Sequence, residues 1–156
     1  MINIKKEILE DESTKFTMTE NKIIDTNKYI EFVRQTTSPA SSDFAALLAR
    51  LTELEVTDDA DVPRLMTAAF GISAEAGEFT EIVKKVFLQG KPYNADNVEH
   101  LKIELGDILW YAAQACMALD ITFEEVMERN YLKLSARYPE GTFSVYKSEN
   151  RVEGDL

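Results

Sequence analysis

Two long apolar stretches of this chain each contain one pair of carboxylates, three residues apart, and no other charged side chain. The pairs are Glu75 with Glu78 in residues 65–79, and Glu104 with Asp107 in residues 103–119. A carboxylate in apolar surroundings loses solvation at a cost of several kcal/mol unless a cation compensates for it. Since neither stretch contains a Lys or Arg, the four acids indicate a bound divalent cation.

The surroundings of these two pairs, rather than their spacing, distinguish them. The chain contains eight acidic pairs at i,i+3, and several of the others are explained as acids at helix N-termini. On a helix, residues i and i+3 lie about 60° apart and about 4.5 Å apart along the axis, so each pair points one way. Ligation by oxygen alone selects Mg²⁺, Mn²⁺ or Ca²⁺ over Zn²⁺.

The spacing of the apolar residues predicts an all-α fold, because no strand pattern stands out. Five helices are predicted, over residues 27–36, 43–54, 63–88, 96–118 and 122–138. The third and fourth are joined by a short connection, so we expect them to be antiparallel neighbours in a helical bundle. The two carboxylate pairs then face each other across the seam between these helices.

Side chains that cap helix N-termini mark several of these starts. Ser41 or Ser42 is expected to cap the second helix, while Asp96 with Glu99, and Thr122 with Glu125, each match a capping box. The predicted domain covers residues 26–143. It is preceded by a polar arm, residues 1–25, and followed by a polar tail that frays, residues 144–156.

The net charge of −11 argues against binding to nucleic acid or to anionic membranes, since both require a basic surface. Residues 103–119 are too polar for a membrane span because they contain two acids. No signal-peptide pattern opens the chain. Cys116 lies in an apolar run and is expected to be a buried, reduced thiol. By elimination, we expect a cytoplasmic protein.

Several polar side chains are candidates for binding a phosphorylated substrate. On a helical wheel, Lys85 lies within about 20° of Glu78, two turns later. One edge of the last predicted helix carries Asn130, Lys133 and Arg137. An Arg grips phosphate bidentately and a Lys adds a point charge, although an ordinary amphipathic border explains this edge equally well.

The remaining distinctive residues divide between packing and the site. Tyr111 falls on the Glu104 face and is predicted to reach the site, whereas Trp110 is predicted to pack in the core rather than stack on a base. His100 belongs to neither acidic motif, which excludes the Glu-x-x-His pattern of a di-iron bundle, and we expect it to be solvated. Interior helical glycines cost about 1 kcal/mol each, so a close helix crossing or ligand is expected beside Gly71, Gly77 and Gly106.

Three segments in order resemble the MazG-like nucleoside triphosphate pyrophosphohydrolases of the all-α NTP pyrophosphatase group. They are Glu75-Ala76-Gly77-Glu78, then the ELGDILWY run of residues 104–111, then residues 130–138 followed by Pro139, Gly141 and Phe143. The resemblance covers roughly residues 70–144. One position departs from the pattern, because Ala74 stands where the family often has a second Glu, which weakens any assignment of a second metal or a general base there. Glu81 offers a substitute but lies about 120° from Glu75 around the helix.

The resemblance implies a helical core that is completed by oligomerisation, as a homodimer or homotetramer. It also implies Mg²⁺, for which Mn²⁺ can substitute, held by the four motif carboxylates, and cleavage of a (d)NTP to the (d)NMP and pyrophosphate. Lys133 and Arg137 match the basic residues that meet the phosphates, and Asn130 resembles part of the nucleotide site.

The residues themselves indicate hydrolysis by metal-activated water. The chain has no GxxxxGK[ST], GxGxxG, GxSxG or HExxH motif and no His placed to activate a side-chain nucleophile. The alternative function is a non-catalytic acidic helical module, either a regulator or a mimic of nucleic-acid charge, which requires regularly spaced exposed carboxylates. A third reading is binding of a divalent ion or a nucleotide without turnover.

Overall fold

A computed structural model describes residues 25–150, and every regular element in that range is helical. The helices are α1 (Thr26–Thr36), α2 (Pro39–Ser42), α3 (Phe44–Val56), α4 (Val62–Leu88), α5 (Ala95–Ala118), α6 (Phe123–Arg137) and α7 (Val145–Glu149). The predicted all-α class is confirmed. Of the predicted polar arm, residues 1–24 lie outside the described residues, as do residues 151–156 of the predicted tail.

The two longest helices, α4 and α5, form the main helix pair of the described chain. Their connection spans only residues 89–94, so helices that pack along their lengths must run antiparallel. The N-terminal end of α4 is fixed to the C-terminal half of α5 by Arg64, whose guanidinium donates to Asp61 over 2.8 Å and to Gln114 over 2.9 Å. The apolar core of this pair is small, and its buried members are Val62, Ala68, Ile82 and Cys116.

The ring of Tyr111 on α5 packs directly against Gly71 on α4. A Cβ atom built on this glycine would overlap the ring of Tyr111. The Tyr111 ring also meets the Trp110 ring edge-on, with 4.9 Å between the ring centroids. The close crossing expected from the glycine pattern therefore exists at Gly71, while nothing lies within 4 Å of a Cβ atom at Gly77 or Gly106.

The helix starts agree with the sequence in part. At α6 the predicted capping box is present, with the Thr122 hydroxyl accepting from the Glu125 amide over 3.2 Å and the Glu125 carboxylate accepting from the Thr122 amide over 2.7 Å. The prediction that Asp96 caps α5 is wrong. Asn94 caps this helix, because its side-chain oxygen accepts a hydrogen bond from the Asn97 amide over 3.0 Å.

The predicted serine cap of α3 is also wrong. Ser41 and Ser42 belong to α2, a single helical turn that begins at Pro39. The α3 cap is Asp43, whose carboxylate accepts from the Ala46 amide over 2.7 Å. Because the φ angle of proline suits the first position of a helix, Pro39 begins the short helix α2.

Large apolar side chains remain exposed on several helices of the described chain. Trp110 is 55% exposed, so the prediction that it packs in the core is wrong for the single chain. Exposed aromatic or aliphatic residues also occur on α1 and α6, and they include Tyr29, Phe32, Met127 and Tyr131. Among residues 25–150, no helix is long and apolar enough to cross a membrane.

Substituting Gly71 tests whether its contact with Tyr111 sets the distance between the two helices. The G71A variant should lose about 1–3 kcal/mol of unfolding free energy, because the added methyl group has to displace an aromatic ring. The matched G77A variant has open space and should gain up to about 1 kcal/mol from helix propensity. Urea denaturation at one protein concentration measures both values, and equal effects of the two substitutions would contradict the assigned contact.

Candidate metal centre

Three carboxylates from two helices converge at the seam between α4 and α5. Glu75 and Glu78 come from α4 and Glu104 from α5, and one carboxylate oxygen from each lies within 4.8 Å of the other two. Glu104 is buried, Glu75 is half-buried and Glu78 is exposed. The convergence follows from the sequence spacing, because i,i+3 residues share a helix face and that face is turned towards α5.

The buried carboxylate of Glu104 has a histidine as its partner. Nε2 of His100, one helical turn earlier on α5, lies 2.9 Å from Oε1 of Glu104. The Glu104 side chain is only 6% exposed, whereas half of the His100 side chain is exposed. The expectation that His100 is solvated is confirmed, since half of its side chain is exposed, but its contact with the buried carboxylate was not predicted. The i,i+4 spacing was the available signal, but it became informative only once Glu104 was known to be buried.

The surroundings of Glu75 shift the pKa of its carboxyl group. Its pKa is raised above the ordinary value of 4.5, first because the group loses solvation and then because of the negative charges on Glu78, Asp107 and Glu104. Asp107 is thus close enough to act on Glu75, although it is not one of the three residues whose oxygens converge. Its predicted role as a metal ligand stays a prediction.

The converging oxygens suit a hard divalent cation. Two oxygens bound to one Mg²⁺ lie at most about 4.2 Å apart, which is twice the metal–oxygen distance, so small side-chain movements bring all three onto one ion. A cation would also offset both the lost solvation and the repulsion that raise the pKa of Glu75. Oxygen-only ligation favours Mg²⁺, Mn²⁺ or Ca²⁺ over softer metals.

A cavity of about 320 Å³ opens beside the carboxylates and is lined by basic as well as acidic side chains. Its lining includes Glu78, Glu104 and His100, together with Lys85 and Lys91. The predicted substrate-binding residue Lys85 therefore lies beside the acidic pair. A negatively charged substrate would meet both lysines in this space, since each carries one positive charge.

Glu81, the substitute for a missing acid in the first motif, lines the same cavity but pairs with lysines of its own helix. Its carboxylate pairs with Lys84 and, over 3.2 Å, with Lys85. Hydrogen bonds from these two lysines lower the pKa of Glu81, which is the opposite of the shift at Glu75. Glu81 is thus neutralised by its own helix and is not part of the converging group in the described chain.

Lys91 was missed by the sequence analysis. It follows Gly90, which has a φ of +74°, and its amide donates to the carbonyl of Lys85 over 3.1 Å. This left-handed turn folds the chain back against the end of α4 and carries Lys91 to the cavity. Helical periodicity contains no information about a residue beyond the helix end, so Gly90 was the only signal.

The predicted substrate residues of α6 lie apart from this cavity. Asn130 lines a second cavity, of about 380 Å³, formed by α6 and the segment that follows it, with Tyr131, Tyr138 and Phe143 in its wall. Lys133 and Arg137 line neither cavity, and the Arg137 guanidinium lies 6.0 Å from the Tyr138 ring centroid. Tyr111 packs against Gly71, one helical turn before Glu75. Within this chain, the structure does not bring the α6 residues to the carboxylates, and their roles stay predictions.

Comparison with known proteins covers the same part of the chain as the site. A family model described as the MazG nucleotide pyrophosphohydrolase domain matches residues 66–142. The Gene 37 protein of Mycobacterium phage L5 is 38% identical over 79 residues, which are 49% of this chain and 68% of that protein. No solved structure gives a significant match. The matched range contains the converging carboxylates, both lysines of the cavity and all of α6.

The raised pKa of Glu75 predicts how stability depends on pH in the absence of divalent cations. The folded state binds this proton more tightly than the unfolded state, so stability should fall as pH rises from about 4.5 through the raised pKa. The E75Q variant should lack this component and be more stable than wild type at neutral pH in EDTA. Urea unfolding of both proteins across pH 4–8 measures the difference.

Glu81 provides the matched control on the same helix. Because its pKa is lowered, its ionised form stabilises the fold above the unfolded value, and this contribution is lost as pH falls through the folded pKa. The E81Q variant should therefore be slightly less stable than wild type at neutral pH. If E75Q were destabilised at neutral pH in EDTA, the assigned repulsion among the carboxylates would be wrong.

Proposed function

The chain belongs to the MazG nucleotide pyrophosphohydrolase family, and from this membership we propose that it converts a (d)NTP to the (d)NMP and pyrophosphate with Mg²⁺ as cofactor. The observation that carries the proposal is the convergence of Glu75, Glu78 and Glu104 at an apolar helix seam. The cavity beside them offers Lys85 and Lys91 to a polyphosphate. Mn²⁺ has the same ligand preference and can substitute for Mg²⁺.

The carboxylates of α4 and α5 are the proposed metal ligands. Glu75, Glu78 and Glu104 would hold the ion, with Asp107 as the fourth ligand because its charge acts on Glu75. When bound, Mg²⁺ neutralises phosphate charge and acidifies a coordinated water.

The remaining groups of the site are proposed to act on the substrate. Lys85 and Lys91 would meet the phosphates in the cavity and neutralise the charge that develops on the leaving pyrophosphate. A motif carboxylate would accept the proton of the attacking water. Lys133, Arg137 and Asn130 are proposed phosphate and nucleoside contacts on the strength of the family pattern, and Tyr111 would buttress α4 beside the carboxylates.

A non-catalytic acidic module is less well supported. A charge mimic needs regularly spaced and exposed carboxylates, whereas Glu104 is 5% exposed and its neighbours in the cluster converge on it. Burying one acid and directing two others towards it raises the electrostatic energy of the folded chain. Such an arrangement is useful where a cation binds, and it contributes nothing to surface mimicry.

We further propose that the chain is a homodimer or a homotetramer. Ile103, Trp110 and Met117 are spaced seven residues apart on α5, so they lie within about 40° of one another around the helix. All three are at least half exposed in the single chain. Apolar faces of this kind on otherwise polar helices are typical of subunit interfaces.

Removal of a single motif carboxylate should abolish turnover. We expect E78A and D107A each to lower kcat/KM for pyrophosphate release by at least about 100-fold, since several kcal/mol of transition-state stabilisation are lost. The assay uses a panel of canonical dNTPs and NTPs with Mg²⁺, and with EDTA as the metal-free reference.

The control for this experiment is E99A. Glu99 is an exposed acid on α5 that pairs with Lys102 over 3.0 Å and does not face the carboxylate cluster. This variant should turn over at the wild-type rate. Wild-type turnover by E78A or D107A, with helicity unchanged by circular dichroism, would contradict the assignment of these acids.

The proposed oligomer predicts a mass in solution. Light scattering coupled to size-exclusion chromatography should give two or four times the chain mass of 17.7 kDa at micromolar concentration. The mass should also be independent of salt, because apolar contacts are not screened. A mass equal to one chain across the concentration range would show that the exposed α5 face has another purpose.

A further inference from the structure

We propose that His100 is a positioning residue for the metal centre, which holds the Glu104 carboxylate in the orientation that the cation requires. The inference rests on the proposed function, because it assumes that Glu104 binds a cation. Its basis is the 2.9 Å separation between Nε2 of His100 and Oε1 of Glu104. At that distance the two groups are in polar contact, as an ion pair when the imidazole is protonated.

Burial makes this polar contact important. The Glu104 side chain is 6% exposed, so water contributes little to its solvation. Residues 103–119 contain no Lys or Arg, and Glu75 and Glu78 bring only negative charge to Glu104 from the facing helix. His100 is therefore the side chain of α5 that the structure places against the buried carboxylate.

The position of His100 suits an orienting role. It lies one turn before Glu104 on α5 and lines the same cavity, yet it is not one of the converging groups. A bond to one carboxylate oxygen fixes the rotation of the whole group, so the metal would find its ligand already oriented. Residues that orient metal ligands typically raise metal affinity by about 10-fold to 100-fold, and we expect an effect of this size from His100.

The competing interpretation is an ordinary i,i+4 pair on a helix surface. Such pairs add only slightly to helix stability and have no effect on metal affinity. The two interpretations predict different effects on metal affinity when His100 is substituted. An orienting role requires a donor near the Nε2 position, and the Gln side-chain amide can supply one, while Leu has similar bulk and no donor.

The affinity of each variant for Mn²⁺ distinguishes the two interpretations. It is measured by titration calorimetry or by the electron paramagnetic resonance signal of free Mn²⁺. We expect H100L to bind Mn²⁺ about 10-fold to 100-fold more weakly than wild type, and H100Q to bind within a few-fold of wild type. E99Q is the matched control, since Glu99 is the adjacent residue and pairs with Lys102 outside the cavity. It should bind Mn²⁺ like wild type. Circular dichroism and urea midpoints establish that each variant is folded.

The outcomes separate this inference from the proposed function. Wild-type affinity in H100L, or equal weakening in H100L and H100Q, would overturn the orienting role while leaving the metal centre in place. Failure of the wild-type protein itself to bind Mn²⁺ or Mg²⁺ would overturn the proposed function, and the inference with it. In turnover assays, the expected signature is a higher Mg²⁺ concentration for half-maximal activity in H100L, with a smaller change in the rate at saturating Mg²⁺.

Discussion

Burial of the Glu104 carboxylate between α4 and α5 costs solvation energy that only a hydrogen-bond donor or a cation can offset. Among the described residues, His100 from the preceding turn of α5 lies 2.9 Å from one oxygen of this carboxylate. Glu75 and Glu78 from the facing helix increase the repulsion instead of relieving it. We expect a bound cation to stabilise this seam, because a ligand that binds only the folded state raises the free energy of unfolding.

The crossing of α4 and α5 determines whether the carboxylates meet at all. At Gly71 the ring of Tyr111 occupies the space of a side chain, one turn before Glu75. Further along α4, Gly77, Glu78 and Lys85 line the cavity. Close packing and an open site thus lie next to each other on the same two helices.

Sequence patterns predicted the parts of the structure that depend on one helix at a time. The isolation of Glu75, Glu78, Glu104 and Asp107 among apolar residues predicted a carboxylate cluster, of which the first three converge, and periodicity gave the extents of α4 and α5 to within a few residues. Features that depend on two elements were missed. His100 needed the burial of Glu104, and Lys91 needed the turn at Gly90. The spacing of Asn130, Lys133 and Arg137 places them along one edge of α6, but the sequence does not indicate which other helix that edge faces.

Electrostatics at the scale of the whole chain explain why the site needs local positive charge. A net charge of −11 repels a nucleoside triphosphate at a distance, and the repulsion is screened only beyond about 8 Å at physiological ionic strength. Lys85 and Lys91 supply two charges at the cavity, but Lys85 is already paired with Glu81. The proposed polyphosphate substrate would therefore depend on a divalent cation for most of its neutralisation. We expect it to bind as the metal complex, because complexation with a divalent cation removes two negative charges from the ligand before it approaches the acidic surface.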